Sequence, residues 1–425
     1  MKVLMVGGGG REHALTWKIA QSPLVDEIWC APGNAGMARV ATCVDIGATD
    51  IDALTAFAQE KSIDLTVVGP EAPLVAGIAD VFGKRGLPVF GPTKAAARME
   101  GSKAFAKQLM TESGVPTGKA EVFTDYDQAM ACIESGGPPH VVKADGLAAG
   151  KGVIIAQDDK TAYKALKACF IDRKFGPSGE RVLVEEFLEG QEVSILAFVD
   201  GEEVLPMAPA QDYKRIGDGD TGPNTGGMGS YSPVPVMPQD EYNRAVEDIL
   251  RPTAAALAAR GIHYRGILYA GLIMTGEGPK VLEYNVRFGD PEVQAVLPRL
   301  ESDLMEPMLA VQEGRLGEVA LKWRRDPCVT VVVASGGYPT DYKKGFPISG
   351  LEEAESMDGV TVFHAGTKIG DDGEILTNGG RVLNVSALGP DFASAREKAY
   401  QAVERIAFSD IYFRKDIALR TLEVE

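Results

Sequence analysis

Two stretches of this chain hold residue types suited to phosphoryl chemistry. Residues 143–152 read KADGLAAGKG, a glycine-rich run with Lys143 and Lys151 near its ends. Glycines free backbone amides to approach an anion, and flanking lysines add positive charge. A Walker loop, however, needs four residues between its first Gly and its Gly-Lys, then Ser or Thr for the metal. Here only three residues separate Gly146 from Gly150, and Lys151 is followed by Gly152. A nucleotide under this loop must therefore take its metal ligands from elsewhere in the chain.

The stretch VLEYNVRFGDPE, 281–292, offers them. Along an extended strand alternate side chains share a face, so Glu283, Asn285 and Arg287 point the same way. Two oxygen ligands at this spacing suit Mg²⁺, which takes its remaining ligands from phosphate and water. Arg287 on that face would clamp a carboxylate or phosphate. The competing reading is a half-exposed strand whose polar side chains merely face water.

A third stretch, GGGGREHA at 7–14, joins an apolar run to a helical pattern. The dinucleotide fingerprint fails in both frames, because the third small residue would fall on Glu12 or His13. The ribose acid expected after the second strand is also missing, since EIWCA runs into Pro32-Gly33-Asn34. Amides at a helix start still bind anions, so the turn reads as a phosphate site or as a purely structural corner. In EEFLEGQE, 185–192, a chain leaving a buried strand presents free amides and carbonyls to an adenine edge. Glu192 would accept from ribose hydroxyls, although alone this stretch reads equally as an exposed acidic turn.

These residues need a scaffold, and the composition allows one of several domains. The chain has 425 residues, 45% hydrophobic and 24% charged, which is globular. A net charge of −17 argues against nucleic acid as partner, since phosphate backbones demand a basic face. No run of apolar residues reaches membrane-spanning length. MKVLMVGGGG reads as a first strand rather than a signal peptide. Five scattered cysteines without a CxxC pair point to reduced thiols and a cytoplasmic protein, not to zinc or a disulfide frame.

The first hundred residues alternate apolar strands (KVLMV, EIWCA, LTVVG, LPVFG) with helical patterns, the form of a parallel sheet covered on both faces. KAAARMEGSKAFAKQLMTESG then predicts one long helical stretch ending at Gly114-Val115-Pro116. Strands HVVKA, GVIIA and RVLVEEFL with helix TAYKALKACF predict a compact α+β unit. EVSILAFVD, GILYAGLIM and KVLEYNV are longer strands, interrupted by a glycine-rich loop at 217–230. CVTVVVASGGYP and the helical DFASAREKAYQAVERIAF close the chain.

In this order the pieces resemble the ATP-grasp superfamily and, within it, the glycinamide ribonucleotide synthetase family. GGGGREHA, VGPEAPL (69–75), KADGLAAGKGV, NTGGMG (224–229), EYNVRFGDPE and ASGGYP (334–339) carry the resemblance, with HAGT (364–367) and GGRVLNV (379–385) extending it along the chain. REHA, GGMG and SGGYP are the more particular motifs; GKG loops and E-x-N strands occur in many ATP-grasp ligases. The resemblance implies an α/β protein of ATP-grasp ligase architecture. It would have an N-terminal doubly wound parallel-sheet domain over 1–116, a small α+β lid over 117–190, a central mixed-sheet catalytic unit over 191–325 and a C-terminal α+β domain over 326–425.

The activity so implied joins glycine to 5-phosphoribosylamine in purine biosynthesis, with ATP as substrate, giving glycinamide ribonucleotide, ADP and phosphate through glycyl phosphate. Mg²⁺ is the expected metal, with Mn²⁺ as a substitute, and a monomer is expected. Lys103 and Lys143 resemble the lysines on the ATP phosphates, and 145–152, with Gly146, Ala149, Gly150, Lys151 and Gly152, the flap above them. Glu185, Glu186 and Leu188 match the adenine hinge, Glu192 the ribose acceptor, and Glu283 and Asn285 the metal ligands. Arg287, Lys143 and Asp212 are the catalytic candidates. Gly8, Gly9, Gly10, Arg11, Glu12, His13, Glu71, Asp212, Lys214, Arg287 and Asp290 are expected to hold phosphoribosylamine and glycine. One departure stands out: many superfamily members carry a further metal carboxylate on the preceding strand, where this chain has Gly271. Phosphates and Glu283 would then hold a second Mg²⁺.

Rival readings predict different residues. A biotin carboxylase or a formate-using purine enzyme would keep the flap and the E-x-N strand but lack REHA and SGGYP. An NAD oxidoreductase needs the missing fingerprint. A non-catalytic nucleotide-binding protein would be expected to lose Glu283, Asn285 or Lys143.

Overall fold

The computed structural model describes residues 1–147 and 152–423. The N-terminal sheet has five parallel strands in the spatial order Thr42–Cys43, Glu27–Pro32, Lys2–Gly7, Leu65–Val68 and Val89–Phe90. Its central strands are apolar because helices cover both faces; Val3, Leu4, Met5, Leu65 and Val67 are wholly buried. Helix Gly10–Ile19 follows the first strand, and Glu12 folds back to accept the amide of Gly9 at 2.6 Å, satisfying a donor at the helix start. Asp50 caps helix Ile51–Lys61 through the amide of Ala53.

The helical stretch predicted over 94–114 is two helices, Lys94–Gly101 and Lys103–Ser113. Ser102 adopts an extended backbone between them, and its hydroxyl accepts the Phe105 amide. Apolar periodicity runs through the break, so the pattern alone joins the two; the N-cap chemistry of Ser102 separates them. As a result Lys103 stands on the first turn of the second helix.

An antiparallel sheet follows, in the order Ala120–Phe123, Val182–Glu186, His140–Ala144 and Val153–Ala156. Helices Tyr126–Gly136 and Asp159–Phe170 pack against it around a separate small core that includes Ile133, Val142, Leu166 and Val184. The central sheet is antiparallel: Glu203–Pro206, Gln191–Asp200, Arg265–Thr275 and Gly278–Asn285. The two sheets meet where the Val281 amide donates to Pro116 O at 2.8 Å and the Thr117 hydroxyl donates to Val281 O at 2.8 Å.

After residue 210 the chain leaves the central sheet, returning to it only for Arg265–Thr275 and Gly278–Asn285. Gln211–Asp212 and Gly229–Ser232 join Cys328–Ser335, Arg381–Leu388 and Val360–His364 in the C-terminal sheet, and Ile411–Tyr412 pairs with Cys328–Ser335. The predicted loop 217–230 therefore contains structure: a hairpin of Arg215–Gly217 with Thr221–Asn224, and the start of strand Gly229–Ser232. The last helix runs Phe392–Val403 and stops short of the predicted IAF, although Ile406 and Phe408 remain buried in the core.

Candidate functional site

A cavity of about 670 Å³ opens where these sheets converge. Two strands deliver its charged floor. On Gly278–Asn285, Glu283 and Asn285 both face it, with Arg287 just beyond the strand end. A bulge opposite Gly271 places Glu283 beside that glycine, and a Cβ at 271 would stand 3.2 Å from Glu283 Cγ. The missing carboxylate at 271 thus leaves room for the Glu283 side chain.

Lys143 enters from the other sheet. Its Nζ lies 3.0 Å from Leu282 O and 2.9 Å from Glu185 Oε2. Glu185 is shared with Lys107 at 3.2 Å, and Lys107 also donates to Thr117 and Gly118 O. Lys103 donates to Gly146 O at 2.8 Å. Burial pulls the Lys103 and Lys107 ammonium groups below their ordinary range, against neighbouring carboxylates that raise them. Burial pushes Glu283 up, but Lys214, Lys143, Lys103 and Arg287 outweigh it and hold its carboxyl below the usual value. Glu283 is therefore held as an anion by cations on several sides of it.

Arg287 is fixed by four acceptors: Glu100 at 3.0 Å, Glu71 at 3.3 Å, Asn285 Oδ1 at 3.2 Å and Phe288 O at 3.3 Å. Burial alone would lower its pKa, but the carboxylates of Glu100 and Glu71 outweigh burial and hold it above the ordinary value. Glu100 also accepts the Val286 amide at 2.8 Å. Asp290 is held by Arg381 at 3.0 Å and by Gln294. Lys214 pairs with Glu192. Beside that pair, burial drives the Asp212 carboxyl up to about 7; Lys214 opposes this, while Glu292, Glu192 and Glu283 add to it.

The adenine-hinge candidates Glu185, Glu186 and Leu188 line the same cavity, as do Glu192, Gly146 and Gly152. Ala149, Gly150 and Lys151 lie outside the described residues. Arg11, Glu71, Asp212, Lys214 and Asp290 also line it. Gly8, Gly9 and Glu12 line instead a second cavity, of about 460 Å³, with Gly33, Asn34, Gly366, Thr367 and Asn378. Gly8 has to be glycine there, because a Cβ would meet Gly33 O at 2.3 Å.

Two of the expected substrate contacts sit away from both linings. His13 is buried against Phe363 and His364, and its Nδ1 accepts the His364 amide at 2.7 Å. Gly10 packs under Asn384 and Gln294, where a Cβ would stand 2.3 Å from Asn384 Nδ2. Both belong to the contact between the first helix and the C-terminal sheet, and REHA reads in part as a packing motif. Sequence reasoning missed Lys107, Glu100, Tyr269, Glu292, Tyr338 and Arg381, all on the larger cavity. Lys107 was findable, one helical turn from Lys103; the others are brought in by tertiary folding alone.

The oxygen set fits a hard cation. Glu283 has no ion pair among the described residues, and Asn285 Oδ1 keeps acceptor capacity beyond Arg287.

The chain matches three family models in order: Phosphoribosylglycinamide synthetase, N domain, over residues 1–100; the ATP-grasp (A) domain over 101–293; and the C domain over 328–420. It is 52% identical over 425 residues to a phosphoribosylamine–glycine ligase of Yersinia pestis, covering 99% of each chain. It is also 52% identical over 428 residues to that of Escherichia coli strain K12, covering 100% of each. The crystal structure of a phosphoribosylamine–glycine ligase from Thermotoga maritima superimposes with a TM-score of 0.84 at 34% identity, covering 98% of this chain and 100% of that one. A biotin carboxylase domain from Hydrogenobacter thermophilus, in complex with MgADP, shares the fold at a TM-score of 0.75 and 15% identity. The three family regions run in sequence through this one chain, and its relatives match it end to end: it belongs to the phosphoribosylglycinamide synthetase family.

Proposed function

We propose that this chain ligates glycine to 5-phosphoribosylamine at the expense of ATP, forming glycinamide ribonucleotide, ADP and phosphate. The observation that carries this reading is the meeting of Lys143 with the Glu283 strand at one cavity, through the 3.0 Å bond to Leu282 O. Phosphoryl transfer depends on positioning and charge neutralisation rather than on a protein nucleophile, and these are what the site supplies.

ATP would lie with its adenine along 185–188 and its phosphates toward Lys103 and Lys143. Glu283 and Asn285 would hold Mg²⁺, or Mn²⁺ in its place, which neutralises phosphate charge when bound. The glycine carboxylate attacks the γ-phosphorus, the bond to the ADP oxygen breaks, and glycyl phosphate forms. Arg287, already braced by Glu100 and Glu71, faces the transferring group and balances its charge. The amine of phosphoribosylamine then attacks the acyl carbon and inorganic phosphate leaves. Asp212, with its carboxyl near 7, is suited to take the proton the amine sheds. The small sheet with its own core would close over the acyl phosphate and exclude water. The second cavity, rich in backbone amides around Gly8 and Gly9, suits the phosphate of phosphoribosylamine.

ADP release measured with glycine and phosphoribosylamine each omitted in turn tests the reading. Dependence on both is expected; ADP formation indifferent to phosphoribosylamine would overturn it.

A further inference from the structure

We infer that Glu292 is the acceptor for the ammonium group of glycine and so selects an α-amino acid over a simple carboxylic acid. This rests on the ligase reading above. Glu292 opens the helix Glu292–Val296, a short turn past the end of strand Gly278–Asn285, and its side chain lines the cavity wall. It is only 4% exposed.

Its carboxylate is aimed from one side. Tyr269 donates to Oε1 at 2.7 Å, Ser194 stands 3.5 Å from the same oxygen, and the two hydroxyls lie 2.6 Å apart. Oε2 has no hydrogen-bond partner among the described residues. Gly289 makes way for it, since a Cβ there would stand 2.7 Å from Oε2 and 3.0 Å from the Tyr269 ring.

Three carboxylates on this wall are ion-paired, Asp290 with Arg381, Glu192 with Lys214 and Glu100 with Arg287, while Glu283 and Asp212 are unpaired among the described residues but held by nearby lysines, Lys214 foremost. Glu292 has no Lys, Arg or His within ion-pair distance among the described residues. A desolvated carboxylate without a cation is costly, and two neutral hydroxyls recover only part of that cost. The missing partner is a cation small enough to enter with the substrate. Glycine carries its ammonium about 3 Å from its own carboxylate oxygens. With that carboxylate directed to the γ-phosphate beside Arg287, the nitrogen falls in this neighbourhood, close enough that the charge of Glu292 acts on Arg287 and Asp212. The amine of phosphoribosylamine is the weaker claimant, because it must be uncharged to attack. Tyr269 and Ser194 are positioning residues in this scheme.

The test is equilibrium dialysis of radiolabelled glycine against the full-length protein with Mg²⁺ and a non-hydrolysable ATP analogue, alongside steady-state kinetics. Charge-assisted hydrogen bonds of this kind imply that Glu292→Gln weakens glycine binding, and raises its KM, by about 10- to 150-fold. The KM for ATP should stay within about 3-fold, and discrimination of glycine against acetate should fall in parallel. Tyr269→Phe, which removes only the aiming hydroxyl, should raise the glycine KM by about 3- to 10-fold and serves as the second variant if the first does not fold. Unchanged glycine affinity in Glu292→Gln, or equal losses for glycine and ATP, overturns the assignment. Wild-type protein that binds glycine through Glu292 yet forms no glycinamide ribonucleotide would overturn the ligase reading instead.

Discussion

Lys143 Nζ lies 3.0 Å from the carbonyl oxygen of Leu282, 139 residues farther along the chain. That carbonyl precedes Glu283, so the lysine of one sheet and the carboxylate proposed to bind metal on another share a single wall. Lys143→Ala should therefore impair both ATP binding and chemistry, raising the KM for ATP and lowering kcat, each by about 10-fold or more. Initial rates across an ATP series check this. An unchanged ATP dependence removes Lys143 from the site.

The pH dependence should report Asp212. As a general base it acts when deprotonated, and its carboxyl is pushed up to about 7. The rate at saturating ATP and glycine should rise with pH through that region and level off above it. Asp212→Asn should be slow and lack the rise. A wild-type profile flat between pH 6 and 8 contradicts the role.

Stability should respond to the buried histidine pair. Burial lowers His13 to about 3, with His364 and Arg39 adding to the effect, and burial lowers His364 to about 4. In the unfolded chain both titrate near about 6.5, so below that pH the unfolded state binds protons that the folded state refuses. Stability is thus lost as pH falls from about 6.5 toward 4, by up to about 1.4 kcal/mol per pH unit for each histidine. His13→Asn keeps an acceptor for the His364 amide and should show a shallower loss between pH 7 and 5 in thermal melts. Parallel slopes would count against this account.

Gly36 lies against the same pair. A Cβ there would stand 2.3 Å from His13 Cε1 and 2.6 Å from His364 Cγ. Gly36→Ala should lower stability by about 1–3 kcal/mol, measured by denaturant unfolding, without changing the KM for ATP. A neutral effect would mean the rings can shift freely.

Much of this architecture was legible in the sequence. Apolar runs in the first hundred residues predict the parallel sheet because strands buried on both faces cannot carry polar residues. The alternation in LEYNVR predicts a shared face for Glu283 and Asn285, which both reach the cavity. The break at Ser102 was harder to see, since a cap is one residue and the helical period continues across it. His13 misled for another reason: a polar residue in a motif looks like a ligand, and only the packing of Phe363 and His364 shows it buried. Glu292, Glu100, Tyr269 and Arg381 enter by tertiary folding, from helices and strands whose local pattern carries no mark of a site.

The central claim is that the lysine-bearing sheet and the E-x-N strand close on one triphosphate. A crystal structure with a non-hydrolysable ATP analogue and Mg²⁺ tests it most directly, supported by the kinetics of Glu283→Gln, for which a loss in turnover of at least about 100-fold is expected. The account predicts metal density bonded to Glu283 and Asn285, with phosphate oxygens within hydrogen-bonding reach of Lys143. A nucleotide bound away from that strand, or normal turnover in the variant, would contradict it.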